Sequence, residues 1–193
     1  VRDAIGRLKE SGRSVVAMIS DLPSSDIDQF VGINNVAAGR TAGRLLGSFL
    51  GDQTCEVLVI AGSMLAYDHL ERRLGFDQIM GERFPHLRIL PSLEAWDEAD
   101  RVERLLTTVL HDHPDIGGIY SIGGGTKGLL RVLEKRGTKD MRVVAHDVTP
   151  VSRKALELDI FDAVIEQDVG HVVRSALRIM KAGQNMLNVI PSQ

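Results

Sequence analysis

The chain has 193 residues, a formal net charge of −3, 25% charged and 44% apolar residues. This is ordinary globular composition, neither disordered nor membrane-embedded, and it is long enough to bury a sizeable core as one domain or two small lobes. A near-neutral charge with no Lys/Arg run longer than two argues against a nucleic-acid surface in this stretch, and no apolar run is long enough to cross a bilayer.

Residues 2 to 10 place Ala4, Ile5 and Leu8 on one face before Gly12 and predict a helix. Because the chain starts at Val1 inside that helix and shows no signal peptide, the natural polypeptide is expected to continue upstream. Val15 to Ile19 is an apolar strand ending at Ser20 and Asp21; a Pro/Ser/Asp-rich turn follows, then a short strand from Phe30 to Ile33 and two helix-capping residues, Asn34 and Asn35. The helix from Val36 to Leu50 carries glycine at 39, 43 and 47, with Gly51 after it. Interior glycines cost roughly 1 kcal/mol each against alanine, so close packing, or else a dimer face, must recover about 3 kcal/mol.

Cys55 is the single cysteine and opens the buried strand Glu56 to Ala61. With no partner in the chain, it reads as a packed thiol. Gly62 and Ser63 break the strand, a helix runs from about Asp68 to Arg83, and Leu87 to Leu93 is a further strand with Trp96 past its end. Asp97 is the expected cap of a helix whose Val102, Leu105, Leu106, Val109 and Leu110 fit the helical period. Ile116 to Ile122 is a strand, Gly123 to Gly125 a turn, and Thr126 to Lys135 a helix closed by Gly137.

Val143 to Ala145 is a buried strand with a polar end at His146 and Asp147. Thr149 and Pro150 are a strong helix start, because proline lacks an N–H that the first turn would leave unpaired anyway. Ala163 to Ile165 ends at Glu166 and Gln167, and a last helix from Asp168 is expected to bury Val169, Val172, Val173, Ala176, Leu177 and Met180. Strands alternate with helices, so the fold class is α/β with mostly parallel sheets and helices on both faces.

Gly123, Gly125 and Gly128 match G-x-G-x-x-G, with Asp147 19 residues beyond. Such turns are common and this one lies deep in the chain, so no nucleotide cofactor is expected. Lys127 lacks phosphate-loop spacing, His111 and His113 at a helix end do not make a metal site, and no G-x-S-x-G elbow occurs. No catalytic residues are expected. The candidate site is instead the set of polar residues at strand ends, because ligands of open α/β sheets bind outside the carboxyl ends of the strands. Asp21, Asp147 and Gln167 lie there, with Arg72 on a helix and Trp96 past a strand. Carboxylates take hydroxyl hydrogen bonds, arginine donates in a fixed fork and an indole covers the C–H face of a sugar ring, so the set suits a small sugar or polyol.

VGINNVAAGRTAG (31 to 43), LERRLGF (70 to 76), HPDIGGIYSIGGGTKGLLRVLE (113 to 134), VVAHDVTPVSRKAL (143 to 156) and DAVIEQD (162 to 168) together resemble the type I periplasmic-binding-protein fold. That fold is shared by sugar-binding proteins of transporters and by effector domains of the lac repressor family. The resemblance implies two lobes, 1–34 with 168–193 and 35–167, joined by hinges at Asn34, Asn35 and Asp168, with the first lobe incomplete in this chain. It assigns Asp21 as a ligand carboxylate on the first lobe, Arg72, Asp147 and Gln167 as polar contacts of the second lobe and hinge, and Trp96 as an aromatic contact. Leu22 stands where sugar binders often have Arg, and Gly123 and Gly124 replace an Asn-Asp pair, so their backbone N–H groups are candidate ligand donors.

The phrase DVTPVSRKALELDIFDAVIEQD with its IGGG turn is closer to the repressor branch. The expectation is therefore the effector domain of a cytoplasmic transcriptional regulator, a homodimer reaching operator DNA only through an N-terminal domain outside this chain. A small carbohydrate effector bridging Asp21 with Asp147 and Arg72 would favour the closed form, because only that form lets one molecule touch both sides. The alternative is a periplasmic sugar-binding protein of an ABC transporter.

Overall fold

The computed structural model describes residues 1–137 and 141–187, with side chains through residue 183. Two compact units divide the chain, Val1–Ile33 with Gln167–Gln193, and Asn34–Glu166. Each crossing falls one residue before the expected boundary, so Asn34 belongs to the larger unit and Gln167 to the smaller; residues 188–193 lie outside the described residues.

The smaller unit begins with α1 (Arg2–Glu10), β1 (Val16–Met18) and β2 (Gln29–Val31). β1 and β2 pair in parallel, Val16 opposite Gln29. β1 stops short of the expected Ile19 because that residue turns left-handed at φ 71°, a conformation that a β-branched side chain adopts only under strain.

The larger unit contains α2 (Asn35–Leu50), β3 (Glu56–Ala61), α3 (Tyr67–Arg83), β4 (Arg88–Ile89), β5 (Leu93–Glu94), α4 (Ala99–Asp112), β6 (Ile116–Ser121), α5 (Thr126–Arg136), β7 (Arg142–His146), α6 (Pro150–Glu157) and β8 (Ala163–Ile165). The sheet runs β4-β3-β6-β7-β8 with β5 also on β3, and every pairing is parallel. The strand expected over Leu87 to Leu93 is two pieces on one edge: β4 faces Glu56 and Val57, and β5 faces Ile60 and Ala61. Pro91 lies between them and has no N–H for the ladder, which is why the edge is interrupted there.

Alternate residues of the strands point to opposite faces. Leu58, Ile60, Ile119, Val143 and Ala145 pack with Val102, Leu106 and Leu110 of α4, Leu129 and Leu133 of α5 and Ala155 of α6. Val57, Val59, Tyr120 and Val144 pack with Ala42, Leu46 and Leu50 of α2 and Phe76, Ile79 and Met80 of α3. On α2 the glycines serve packing within the chain: a Cβ on Gly39 would lie 1.9 Å from the Arg72 carbonyl oxygen, and one on Gly43 2.4 Å from Ile79 Cγ2. Gly75 answers from α3, where a Cβ would lie 2.0 Å from the Val36 carbonyl oxygen.

In the smaller unit, α7 (Val169–Leu187) packs on β1 and β2. It buries Val172 and Ala176, but Val169, Val173 and Leu177 are exposed, contrary to the expected apolar stripe. The reason is width, because two short strands cannot cover the whole apolar arc of a helix.

Candidate functional site

Since every strand of the larger unit runs the same way, the loops leaving their carboxyl ends share one edge. These loops are Gly62–Ser63 after β3, Ala95–Asp97 after β5, Ile122–Gly125 after β6 and Asp147–Thr149 after β7. Arg72 reaches this edge from α3. The residue is 2% exposed, with Nε donating to Asn35 Oδ1 at 3.0 Å and Nη1 to the Ile122 carbonyl at 2.9 Å, while Nη2 has no partner. Both acceptors are neutral. Asn34 is the cap of α2, accepting the Ala37 N–H, whereas Asn35 is buried and holds Arg72 while donating to Glu71 Oε2 at 3.3 Å. The backbone approach at Gly39 and Gly75 is what brings Asn35 within reach.

Beside Arg72 lie two residues that the strand-end pattern does not single out. Tyr120 is fully buried, stacks on Phe76 with ring centroids 4.7 Å apart, and its hydroxyl is 2.8 Å from His146 Nε2. Burial pushes the tyrosine up and pushes His146 down to about 3, helped by the Arg72 and His69 charges. The imidazole is therefore neutral. With the protonated phenol donating to Nε2, Nδ1 carries the hydrogen, and this buried atom is unpartnered. A histidine ending an apolar strand is the only sequence signal for it.

Asp147 follows at φ 63°, its N–H donating to the Ile165 carbonyl at 3.0 Å and its own carbonyl accepting from Ser152 Oγ at 2.8 Å. Thr149 is the expected cap of α6, and Ser152 answers it in a reciprocal capping box that the sequence pattern did not single out. Those ties hold a left-handed conformation that aspartate tolerates better than most residues, and Oδ1 is buried without a partner. Buried polar atoms are nearly always paired, and leaving one unpaired costs about 1–3 kcal/mol. Arg72 Nη2, His146 Nδ1 and Asp147 Oδ1 thus form a set of two donors and one acceptor at one sheet edge.

Trp96 is 53% exposed, and both it and Asp97 are left-handed, at φ 55° and 60°. Asp97 is not the expected cap of α4. That helix starts one residue later, after Glu98, and Asp97 Oδ1 accepts the Gly124 N–H at 2.6 Å. A Cβ on Gly123 would meet His69 Cε1 at 2.7 Å and Asp97 Oδ1 at 2.8 Å, and one on Gly124 would meet Asp97 Cβ at 2.8 Å. Glycine is needed there for room, and the Gly124 N–H is already engaged by a side chain. Gly128 serves helix packing, its Cβ position lying 1.9 Å from the Ala99 carbonyl oxygen.

In the smaller unit, Asp21 is half-buried past β1 and accepts the Leu22 N–H at 2.7 Å. Gln167 is buried with Oε1 unpaired, and Asp168 accepts the His171 N–H at 2.7 Å as the cap of α7. His111 pairs with Asp112, and His113 with Glu56 at 2.8 Å. Among the described residues no cluster of three or more His, Cys, Asp or Glu is placed to hold a metal ion, and no helix is long and apolar enough to cross a membrane. Cys55 lies against Gly117, and burial raises its thiol.

A family model described as periplasmic binding protein domain matches residues 1–184. The ribose import binding protein of Escherichia coli (strain K12) is 26% identical over 173 residues, which cover 86% of this chain and 56% of that protein. The D-allose-binding periplasmic protein of the same organism is 25% identical over 169 residues, covering 86% and 54%. The chain thus spans about half the length of the curated relatives it matches. Among crystal structures, an ABC transporter solute binding protein from Burkholderia graminis C4D1M in complex with D-arabinose superposes with a TM-score of 0.89 at 26% identity, covering 94% of this chain and 64% of that one. A glucose-galactose binding protein from Geobacillus stearothermophilus gives a TM-score of 0.86 at 22% identity, covering 93% and 64%, and shows the fold. The α/β type I fold with its parallel sheet and helices agrees with these comparisons.

They correct the functional expectation. The proteins named are sugar-import and solute-binding proteins rather than regulators, so an effector domain of a lac repressor family regulator, with operator DNA as partner, a homodimeric state and a cytoplasmic setting, is not supported. The repressor-like phrases around Asp147 belong to the shared fold and do not separate the two branches. The same relatives are binding proteins and not enzymes, which agrees with the non-enzymatic reading.

Proposed function

Because the chain belongs to the periplasmic binding protein domain family, we propose that it is part of a periplasmic solute-binding protein that captures a small sugar for an ABC transporter. Ribose, allose and arabinose are the sugars named for its relatives and define the ligand class to test, a monosaccharide of five or six carbons. The observation that carries the reading is the set of buried, unpartnered polar atoms Arg72 Nη2, His146 Nδ1 and Asp147 Oδ1 at one edge of the larger unit. Sugar hydroxyls both donate and accept, so one monosaccharide pairs with all three where a purely anionic or cationic ligand would leave at least one opposed. Trp96, half-exposed on the loop after β5, supplies an apolar face for the C–H side of the ring. Asp21 and Gln167 enter the proposal from the smaller unit by the resemblance of their sequence positions, and Gly123 and Gly124 enter as the residues that leave room beside Asp97.

A thermal-shift screen of the chain against D-ribose, D-allose, D-arabinose, D-glucose and D-galactose tests this. One sugar present at 100 times its dissociation constant should add about 2.7 kcal/mol to folding stability. A flat response to all five, with the protein folded, would remove the sugar reading.

A further inference from the structure

Trp96 and Asp97 are consecutive non-glycine residues in the left-handed region, and one of them is a tryptophan, for which that conformation is a genuine outlier. A backbone so placed persists only when its surroundings over-determine it. The backbone is held by the Trp96 N–H on the Gly62 carbonyl at 2.7 Å and the Ala95 N–H on the Ala61 carbonyl at 2.9 Å. The Glu98 N–H also bonds the Ala95 carbonyl at 3.0 Å, and a further tie comes from a side chain. Asp97 Oδ1 takes the Gly124 N–H at 2.6 Å, and the carboxylate lies where a Cβ on Gly62 (2.3 Å from Oδ1) or on Gly123 (2.8 Å from Oδ1) would otherwise be. One carboxylate therefore spans the loops after β3, β5 and β6, filling the space that three glycines leave.

We propose that Asp97 is a positioning residue for ligand recognition: its carboxylate clasps the Gly62 and Gly123–Gly124 loops to the loop after β5 and so fixes the pose in which Trp96 presents its indole. Asp97 does not touch the ligand and acts through Trp96. This deepens the sugar-binding reading and rests on it for the affinity arm alone, since the clasp is also readable in the free protein. Trp96 is the only tryptophan of the chain, so intrinsic fluorescence reports on this residue and nothing else.

The test compares Asp97→Ala, Asp97→Asn and Gly124→Ala with the parent protein, measuring tryptophan emission and acrylamide quenching without sugar and then titrating the sugar found in the screen. Asparagine keeps an acceptor oxygen in a left-handed turn, whereas alanine removes it; Gly124→Ala keeps the carboxylate but pushes a methyl into Asp97 Cβ. Asp97→Ala and Gly124→Ala should shift the emission maximum and change the quenching constant in the absence of sugar, and weaken sugar binding about tenfold, the scale of one lost aromatic contact. Asp97→Asn should stay near the parent in both. Lowered melting temperature with unchanged emission, quenching and affinity in Asp97→Ala and Gly124→Ala would reduce Asp97 to a stabilising residue and overturn the proposal. If Asp97→Ala does not fold, Gly124→Ala against Asp97→Asn decides it on the same readouts. A parent protein that binds none of the sugars would remove the sugar reading, while the sugar-free fluorescence would still judge the clasp.

Discussion

An arginine that is 2% exposed with one amino group unpaired is costly to hold, and so is the unpaired Asp147 oxygen past the end of β7. Strand-end position singled out Asp147 in the sequence, with Arg72 named beside it on a helix, but the burial that gives these groups their meaning depends on neighbours far away in the chain. Asn35 is the clearest case: it reads as a helix cap, yet its side chain serves Arg72, 37 residues on. His146 carries a prediction of its own. Its pKa is pushed down to about 3 from the ordinary 6.5 by burial, so between those values the unfolded chain binds a proton that the folded chain refuses. Stability from this group is thus fully present above pH 6.5 and is lost as pH falls, by up to about 1.4 kcal/mol per pH unit. Chemical denaturation at pH 7, 5.5 and 4.5 should show this slope, and His146→Phe should flatten it while losing about 1–3 kcal/mol at pH 7 for the unpaired Tyr120 hydroxyl. An identical pH slope in the variant would contradict the burial argument.

Elements were the most legible scale, because the alternation of apolar strands and amphipathic helices needs only local pattern. The failures have physical causes: Pro91 splits an edge strand, Ile19 ends β1 early by turning left-handed, and Asp97 leaves its expected cap for an N–H donor 27 residues away. The contact between α2 and α3 makes two glycines of the same helical region behave oppositely. Gly39→Ala places a methyl 1.9 Å from the Arg72 carbonyl oxygen, which backbone cannot yield, so a loss of about 1–3 kcal/mol or more is expected. Because it also moves Asn35 against Arg72, sugar affinity should fall with it. Gly81, within α3, meets nothing within 4 Å of an added Cβ, so Gly81→Ala should stabilise by about 0.5–1 kcal/mol with affinity unchanged. Urea denaturation of both variants checks the pair, and equal effects would mean that α2 and α3 do not approach so closely.

For the whole molecule, fold and branch of function are separate questions. The alternating pattern and the five quoted segments carry the type I likeness, but regulators and transport proteins share that fold, so those segments do not distinguish them; the relatives named are sugar-import and solute-binding proteins. The proposed site is a polar set suited to hydroxyls, and its carboxylate is the part that can be tested without disturbing the backbone, since asparagine accepts the φ 63° of Asp147 as readily as aspartate does. Isothermal titration of the parent protein and Asp147→Asn with the sugar selected in the screen is the most direct measurement. Charge-assisted hydrogen bonds contribute about 1.5–3 kcal/mol, so the variant should bind at least about tenfold more weakly while unfolding in urea with the parent's slope. Equal affinity in the two proteins would contradict the account.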